Sequence, residues 1–179
     1  MEEMRELYDR GSEKWWKYAR ESMDNISTDV YVQIRNCAFY APTNQEAIRI
    51  HQKSIDFIKL IYDQEDYGFC HYYLAEAYGY IAARYCREGD DENFAKYLEL
   101  RLAHAKAYDD LPEKTVHTSY LVKDCLFERS AVNSGYECND VQRELNCIRE
   151  SEIYDRVRNE PWFQAIIDKY VPFAKDTKY

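Results

Sequence analysis

From Thr43 to Asp109, apolar side chains return every third or fourth residue through three successive stretches, each bounded by a cap signal. Thr43 and Glu46 form an S/T-x-x-E capping box, and behind them Ile48, His51, Ile55, Ile58 and Tyr62 share one helical face. Ile50, Ser54, Phe57 and Ile61 widen it. In the second stretch Tyr67, His71, Leu74, Tyr78, Ile81 and Tyr85 run along one side, and Tyr73, Ala77 and Tyr80 along another. A helix apolar nearly all round is expected to be central, with Asp66 in the N-cap position. Gly89 supplies a C-cap and Asp90 a new N-cap. The third stretch presents Phe94, Leu98, Leu102 and Ala105 and stops at Asp109-Asp110-Leu111-Pro112.

Breakers are scarce: 5 Gly and 4 Pro in 179 residues. A β-sandwich or barrel of this length needs many more turns, so long helices joined by short loops are favoured. No stretch alternates strongly enough to read as a strand. The first helix is placed on Trp15, Trp16 and Ala19 after a turn before Gly11, and the second from about Ser27 to the Ala41-Pro42 break. Later helices are expected from Glu113 to about Ala131, from Asn139 to about Tyr154, and from Pro161 to Tyr170, with a loop at Asn133-Ser134-Gly135. The pattern predicts one all-α domain over residues 1–179, a stack of antiparallel helical hairpins with about seven to nine helices.

Charge and motifs narrow the function. A net charge of −9 lacks the basic footprint that nucleic acid requires. Arg143, Arg149, Arg156 and Arg158 are interleaved with acids and read as a solvated face. The 6 cysteines stand apart at uneven intervals with no C-x-x-C pair, which favours free thiols on helices, buried or half-buried. No secretory signal and no membrane-spanning apolar run is present, so the expected compartment is the cytoplasm. His51 and His71 lie on apolar stripes, where hydrogen-bonded core histidines are the simplest reading. No H-E-x-x-H, G-x-S-x-G, P-loop or G-x-G-x-x-G occurs, and the acids at 90–92 and 109–110 sit where helix capping explains them. No enzyme, cofactor or metal site is expected.

Residues 67–88 and 90–108, joined at Gly89-Asp90, resemble a tetratricopeptide repeat. Tyr78, Ile81, Ala82 and Tyr85 fall on its first-helix signature positions, and Phe94, Leu98 and Arg101 on its second-helix positions. Phe94 and Arg101 replace small residues of that signature, and residues 27–63 look like a weaker copy with Ala47 at the small position. A wider resemblance spans roughly residues 43 to 170. The ordered set Asp66-Tyr67-Gly68-Phe69, Tyr85 to Asp90, His104-Ala105, Asp109, Leu111-Pro112-Glu113, Thr118-Ser119 and Arg158-Asn159-Glu160-Pro161-Trp162-Phe163 is similar to the C-terminal region of XRE-type helix-turn-helix regulators of Gram-positive bacteria.

That resemblance implies a non-catalytic domain that senses a ligand or short peptide in a concave groove and dimerises. DNA would be met only through a helix-turn-helix domain not found within this chain. On the repeat alignment the groove-facing positions are Glu76, Gly79, Ala83, Cys86 and Arg87. Glu76 and Arg87 would clamp charged groups of a ligand, Gly79 and Ala83 would leave room for its backbone, and Tyr73 and Tyr80 would offer hydroxyls. The alternative is a stand-alone adaptor that binds another protein through the same groove or its convex face.

Overall fold

The computed structural model describes residues 9–129 and 137–176. Six α-helices occupy them: α1 (Glu13–Phe39), α2 (Asn44–Ile61), α3 (Cys70–Glu88), α4 (Asp91–Asp109), α5 (Asp140–Glu150) and α6 (Pro161–Tyr170). A short antiparallel hairpin of β1 (Lys114–Val116) and β2 (Leu126–Glu128) interrupts the series. Helices α1 to α5 each pack on the next, giving a mostly helical, repeat-like architecture in which α1/α2 and α3/α4 are hairpins. α5 with α6 stands as a third pair whose two helices both pack on α4 rather than chiefly on each other.

Several boundaries form as their cap residues dictate. The Thr43 hydroxyl accepts the Glu46 amide at 3.2 Å and donates to the Glu46 carboxylate at 2.9 Å. Gly89 closes α3 in the left-handed region at φ +75°, which L side chains adopt at a cost, and Asp90 caps α4 through the Asn93 amide. Asn139 caps α5 through Gln142, and Pro161 opens α6, where its missing N–H costs nothing. Asp109 accepts the Asp140 and Val141 amides at 2.9 Å each, tying the end of α4 to the start of α5.

The structure corrects other expectations. The two helices expected before Pro42 are one, because residues 13–39 contain neither Gly nor Pro. No helix starts near Ser27, which lies buried within α1, donates to the Asp24 carbonyl, and meets the Tyr62 hydroxyl at 2.9 Å. Asp66 does not cap α3, which starts four residues later behind Phe69. Its carboxylate instead accepts the amides of Thr118 and Ser119 at 2.6 and 2.9 Å and meets His117 Nδ1 at 3.1 Å.

That anchor explains why residues 113–129 are not the expected helix. Asp66 occupies amides a helix would need, and Thr115, Val116 and Thr118 are β-branched. Asp124 turns the chain at φ +68°, and Val122, Cys125 and Phe127 are buried. Gly68 must lack a side chain, since a Cβ there would lie 2.6 Å from His117 Cε1. α5 ends at Glu150 rather than near Tyr154, where a 3-10 turn takes over. Merging two helices and losing another leaves fewer helices among the described residues than expected. The predicted loop at Asn133-Ser134-Gly135 lies outside them.

Two apolar clusters form the core, and α3 belongs to both. Leu74, Ala77, Tyr78 and Ile81 join Tyr31, Ile55 and Ile58 of the first hairpin. Ala75, Ala82 and Cys86 join Phe94, Leu98, Leu145 and Phe163 on the other side. The central position expected of this helix is borne out. The arginines beyond residue 140 are not simply a solvated face. Arg143 is buried, Arg156 donates to the Cys86 carbonyl at the end of α3, and Arg158 donates to the Arg149 and Ser151 carbonyls at the end of α5. All six cysteines are free, with Cys37 and Cys147 exposed and Cys125 on the β-hairpin side rather than a helix. No helix among the described residues is long and apolar enough to cross a membrane.

Candidate functional site

The first helices of the three pairs are neighbours. Tyr31 and Arg35 of α1 reach Glu76 of α3, and the Arg143 guanidinium of α5 lies 4.3 Å from the Tyr72 ring centroid of α3. Between α3, α4 and α5 lies a cavity of about 260 Å³. Its wall holds Tyr72, Glu76, Gly79 and Tyr80 on the α3 side, faced by Arg101, Arg143, Glu144 and Cys147.

Three of the six candidate residues therefore reach one cavity, each with a further task. Glu76 accepts Tyr31 Oη at 2.9 Å and Arg35 Nη1 at 3.0 Å. It ties α1 to α3 rather than standing free for a ligand. Gly79 leaves room for the Arg101 guanidinium rather than for a ligand backbone; a Cβ would meet Arg101 Cδ and Nε at 3.0 Å. Tyr80 stacks on His51 with centroids 5.0 Å apart, meets Phe39 edge-on at 5.2 Å, and reaches Glu76 at 3.4 Å. Tyr73 lies outside the cavity, packed between Tyr31 and Phe69 at 4.4 and 4.9 Å. Ala83 is half-buried and Arg87 is exposed, both away from the cavity wall. Cys86 cannot face a groove, because it is buried and its thiol donates to the Ile153 carbonyl.

The cavity residues that sequence reasoning missed are Tyr72, Arg101, Arg143, Glu144 and Cys147. One signal pointed at them: a bulky Arg101 at a small-residue position implies an opposing gap, and Gly79 supplies it. Glu144 sits between Arg101 Nε and Arg143 Nη2, the latter at 2.8 Å, and Asp140 adds a second carboxylate to Arg143 at 2.6 Å. Arg101 Nη1 also donates to the Tyr154 hydroxyl at 3.2 Å. Burial opposes the charge on Arg101, yet Glu144 outweighs it and holds the guanidinium's pKa above its ordinary value. Arg143 is raised in the same way by Glu144 and Asp140 against burial.

The wall offers hydrogen-bond donors and paired charges. Burial, reinforced by Glu76, pushes the Tyr80 phenol up to about 12, so it stays protonated and can donate. Burial and then Glu144 push the Cys147 thiol up, which disfavours the nucleophilic thiolate. Among the described residues no group of three His, Cys, Asp or Glu is placed to hold a metal ion.

A second cavity, of about 690 Å³, lies between the start of α1 and the β-hairpin loop. Lys17, Arg20 and Lys123 there face Glu13, Glu21 and Asp124, so the charges of its described lining cancel. No protein-family model, no curated protein and no solved structure matches this chain.

Proposed function

We propose that this chain is a non-catalytic binding domain of tetratricopeptide-like build, acting in the cytoplasm as the ligand-sensing and dimerising part of a helix-turn-helix transcription regulator. The carrying observation is the α3–α4–α5 cavity, which mixes phenol donors with paired charges at a junction between helical hairpins. A short peptide or small molecule bearing both charges competes there with the Arg101–Glu144 and Arg35–Glu76 pairs. Since these pairs tie one hairpin to the next, a bound ligand favours one hairpin spacing over another and shifts that equilibrium. In a dimeric regulator this would reset the spacing of attached DNA-binding heads.

The adaptor reading draws support from a different place: Val116, Tyr120 and Leu126 of the β-hairpin region are 53%, 63% and 55% exposed. A protein partner would cover them.

Native mass spectrometry of the purified chain, alone and after exposure to a random short-peptide library, tests the first reading. Added mass on the wild type that disappears in Cys147→Trp, which fills the cavity from its rim, is the expected result. A wild type that captures nothing, or a Trp variant that captures the same species, overturns it.

A further inference from the structure

A third cavity, of about 490 Å³, lies on the side of α3 that meets the β-hairpin, apart from the cavity described above. Asp24, Asn25 and Thr28 of α1 form one wall. The connection into α3 supplies Tyr62, Tyr67, Phe69 and Cys70, and the β-hairpin supplies His117, Leu126, Phe127 and Glu128. Its volume is that of a small-molecule site. The wall is built rather than incidental: Tyr62, Tyr67 and Phe127 are 3%, 7% and 8% exposed.

We infer that this cavity binds a small organic cation, an alkylammonium or quaternary ammonium group, between the aromatic rings and the carboxylates of Asp24 and Glu128. Four rings, those of Tyr62, Tyr67, Phe69 and Phe127, border the space, and aromatic faces attract cations through their quadrupole. Asp24 is held in place by the Tyr62 hydroxyl, which donates to it at 2.7 Å. A carboxylate accepts several hydrogen bonds, so capacity remains for a ligand. Glu128 closes the opposite side and is countered by Lys114 at 3.0 Å, whose own side chain is 60% exposed. Among the described residues no Lys or Arg lines the cavity, and the chain's net charge of −9 raises the local concentration of cations.

Other occupants fit worse. The cavity touches the N-terminus of α3, an ordinary place for an anion. Here the amides of Cys70, His71 and Tyr72 already donate to the carbonyls of Tyr67, Gly68 and Phe69. An anion would meet two carboxylates and find those donors taken. An inorganic cation would want several oxygen ligands, and most of this wall is carbon.

Choline and its neutral isostere 3,3-dimethylbutan-1-ol separate charge recognition from simple filling. Ligand-observed NMR should show choline methyl protons shifted upfield by the rings, and binding about tenfold or more tighter than the isostere. Asp24→Asn keeps an acceptor for Tyr62 and should lose most of that preference, with a thermal midpoint close to wild type. Phe127→Leu keeps the apolar filling and should lose the upfield shift. Should Phe127→Leu fail to fold, Asp24→Asn measured against both probes decides alone. Equal binding of choline and the alcohol, no binding of either, or an unchanged preference in Asp24→Asn overturns the inference.

Discussion

α3 meets its two neighbours through different chemistry. Toward the first hairpin it presents Leu74, Ala77, Tyr78 and Ile81 to an apolar cluster, and its main ion pair, Arg35–Glu76, lies at the margin with side chains 22% and 21% exposed. Toward the third pair it also joins an apolar cluster through Ala75, Ala82 and Cys86. There, however, Arg101 of α4 and Arg143, Asp140 and Glu144 of α5 bring four charges into the junction, with side chains only 4–12% exposed. The first junction is held by burial and trimmed with charge; the second has charge inside it. A buried ion pair stabilises little over an apolar equivalent, but breaking one leaves an uncompensated charge in a poor solvent. The second junction should therefore be the fragile one, and the one a charged ligand can move.

Removing Glu144 tests that contrast most severely. Two buried guanidiniums share it, so Glu144→Ala should cost about 3–5 kcal/mol in urea denaturation. Hydrogen exchange should accelerate in α5 and α6 before it does in α2. The double replacement Arg101→Met with Glu144→Leu removes both charges together and should return most of the loss. A Glu144→Ala protein within 1 kcal/mol of wild type would erase the difference between the junctions.

Acid probes the first junction, whose liability is a neutral base rather than a pair. His51 is fully buried, stacked on Tyr80, and neither ring nitrogen has a hydrogen-bond partner among the described residues. Burial, with help from Arg84 and Arg35, lowers its pKa to about 4. The unfolded chain takes up a proton near pH 6.5 while the folded chain resists until about pH 4. Stability is therefore full above pH 6.5 and falls as pH drops through that window, by about 3 kcal/mol for this group. His71 and His104, Nδ1 to Nδ1 at 2.9 Å between α3 and α4, add to the loss, because burial lowers them to about 4 and about 3. His51→Leu should flatten the acid limb of a stability-against-pH curve and raise stability at pH 7 by about 1 kcal/mol, since an unsatisfied polar group is removed. An unchanged acid limb would place the proton uptake elsewhere.

The elements legible in the sequence are those whose signal is local. The α3–α4 turn is written in Gly89 and Asp90, the start of α2 in Thr43 and Glu46, and the whole of α6 behind Pro161. The illegible ones depend on partners far along the chain. Asp66 reads as an ordinary N-cap until Thr118 and Ser119 arrive from 52 and 53 residues away. The segment 113–129 then becomes a hairpin where the sequence reads as part of a helix from Glu113 to about Ala131. The cavity behaves alike. Glu76 and Gly79 follow from repeat spacing on one helix and Tyr80 from the hydroxyl it offers, while Arg143 and Glu144 come from the third pair and look, in sequence, like members of a surface charge run.

Gly79 sharpens the comparison because it faces the charged junction from inside α3. Alanine there gains about 1 kcal/mol of helix propensity over glycine. Its Cβ, however, would press within 3.0 Å of an Arg101 side chain already fastened to Glu144 and Tyr154. The guanidinium cannot swing away without losing those partners, so Gly79→Ala should destabilise by about 1 kcal/mol net. In an Arg101→Ala background the obstacle is gone, and the same substitution should stabilise by about that propensity gain. A double-mutant cycle in urea reads the reversal of sign. Two equal effects would mean that Gly79 serves helix α3 alone.

Glu76 offers the mildest test, and it bears on the opposite junction. Glu76→Gln keeps an acceptor for the Tyr31 hydroxyl but removes the charge opposite Arg35. The pair is about one-fifth exposed on each side, so water screens it and compensates Arg35 when the carboxylate is gone. The expected cost is about 1 kcal/mol, and it should shrink further in high salt. Glu144→Gln, measured beside it, should cost more and respond less to salt, because added ions do not enter a buried cluster. If the two variants lose the same stability with the same salt dependence, burial does not separate the junctions, and a charged ligand has no reason to act on one rather than the other.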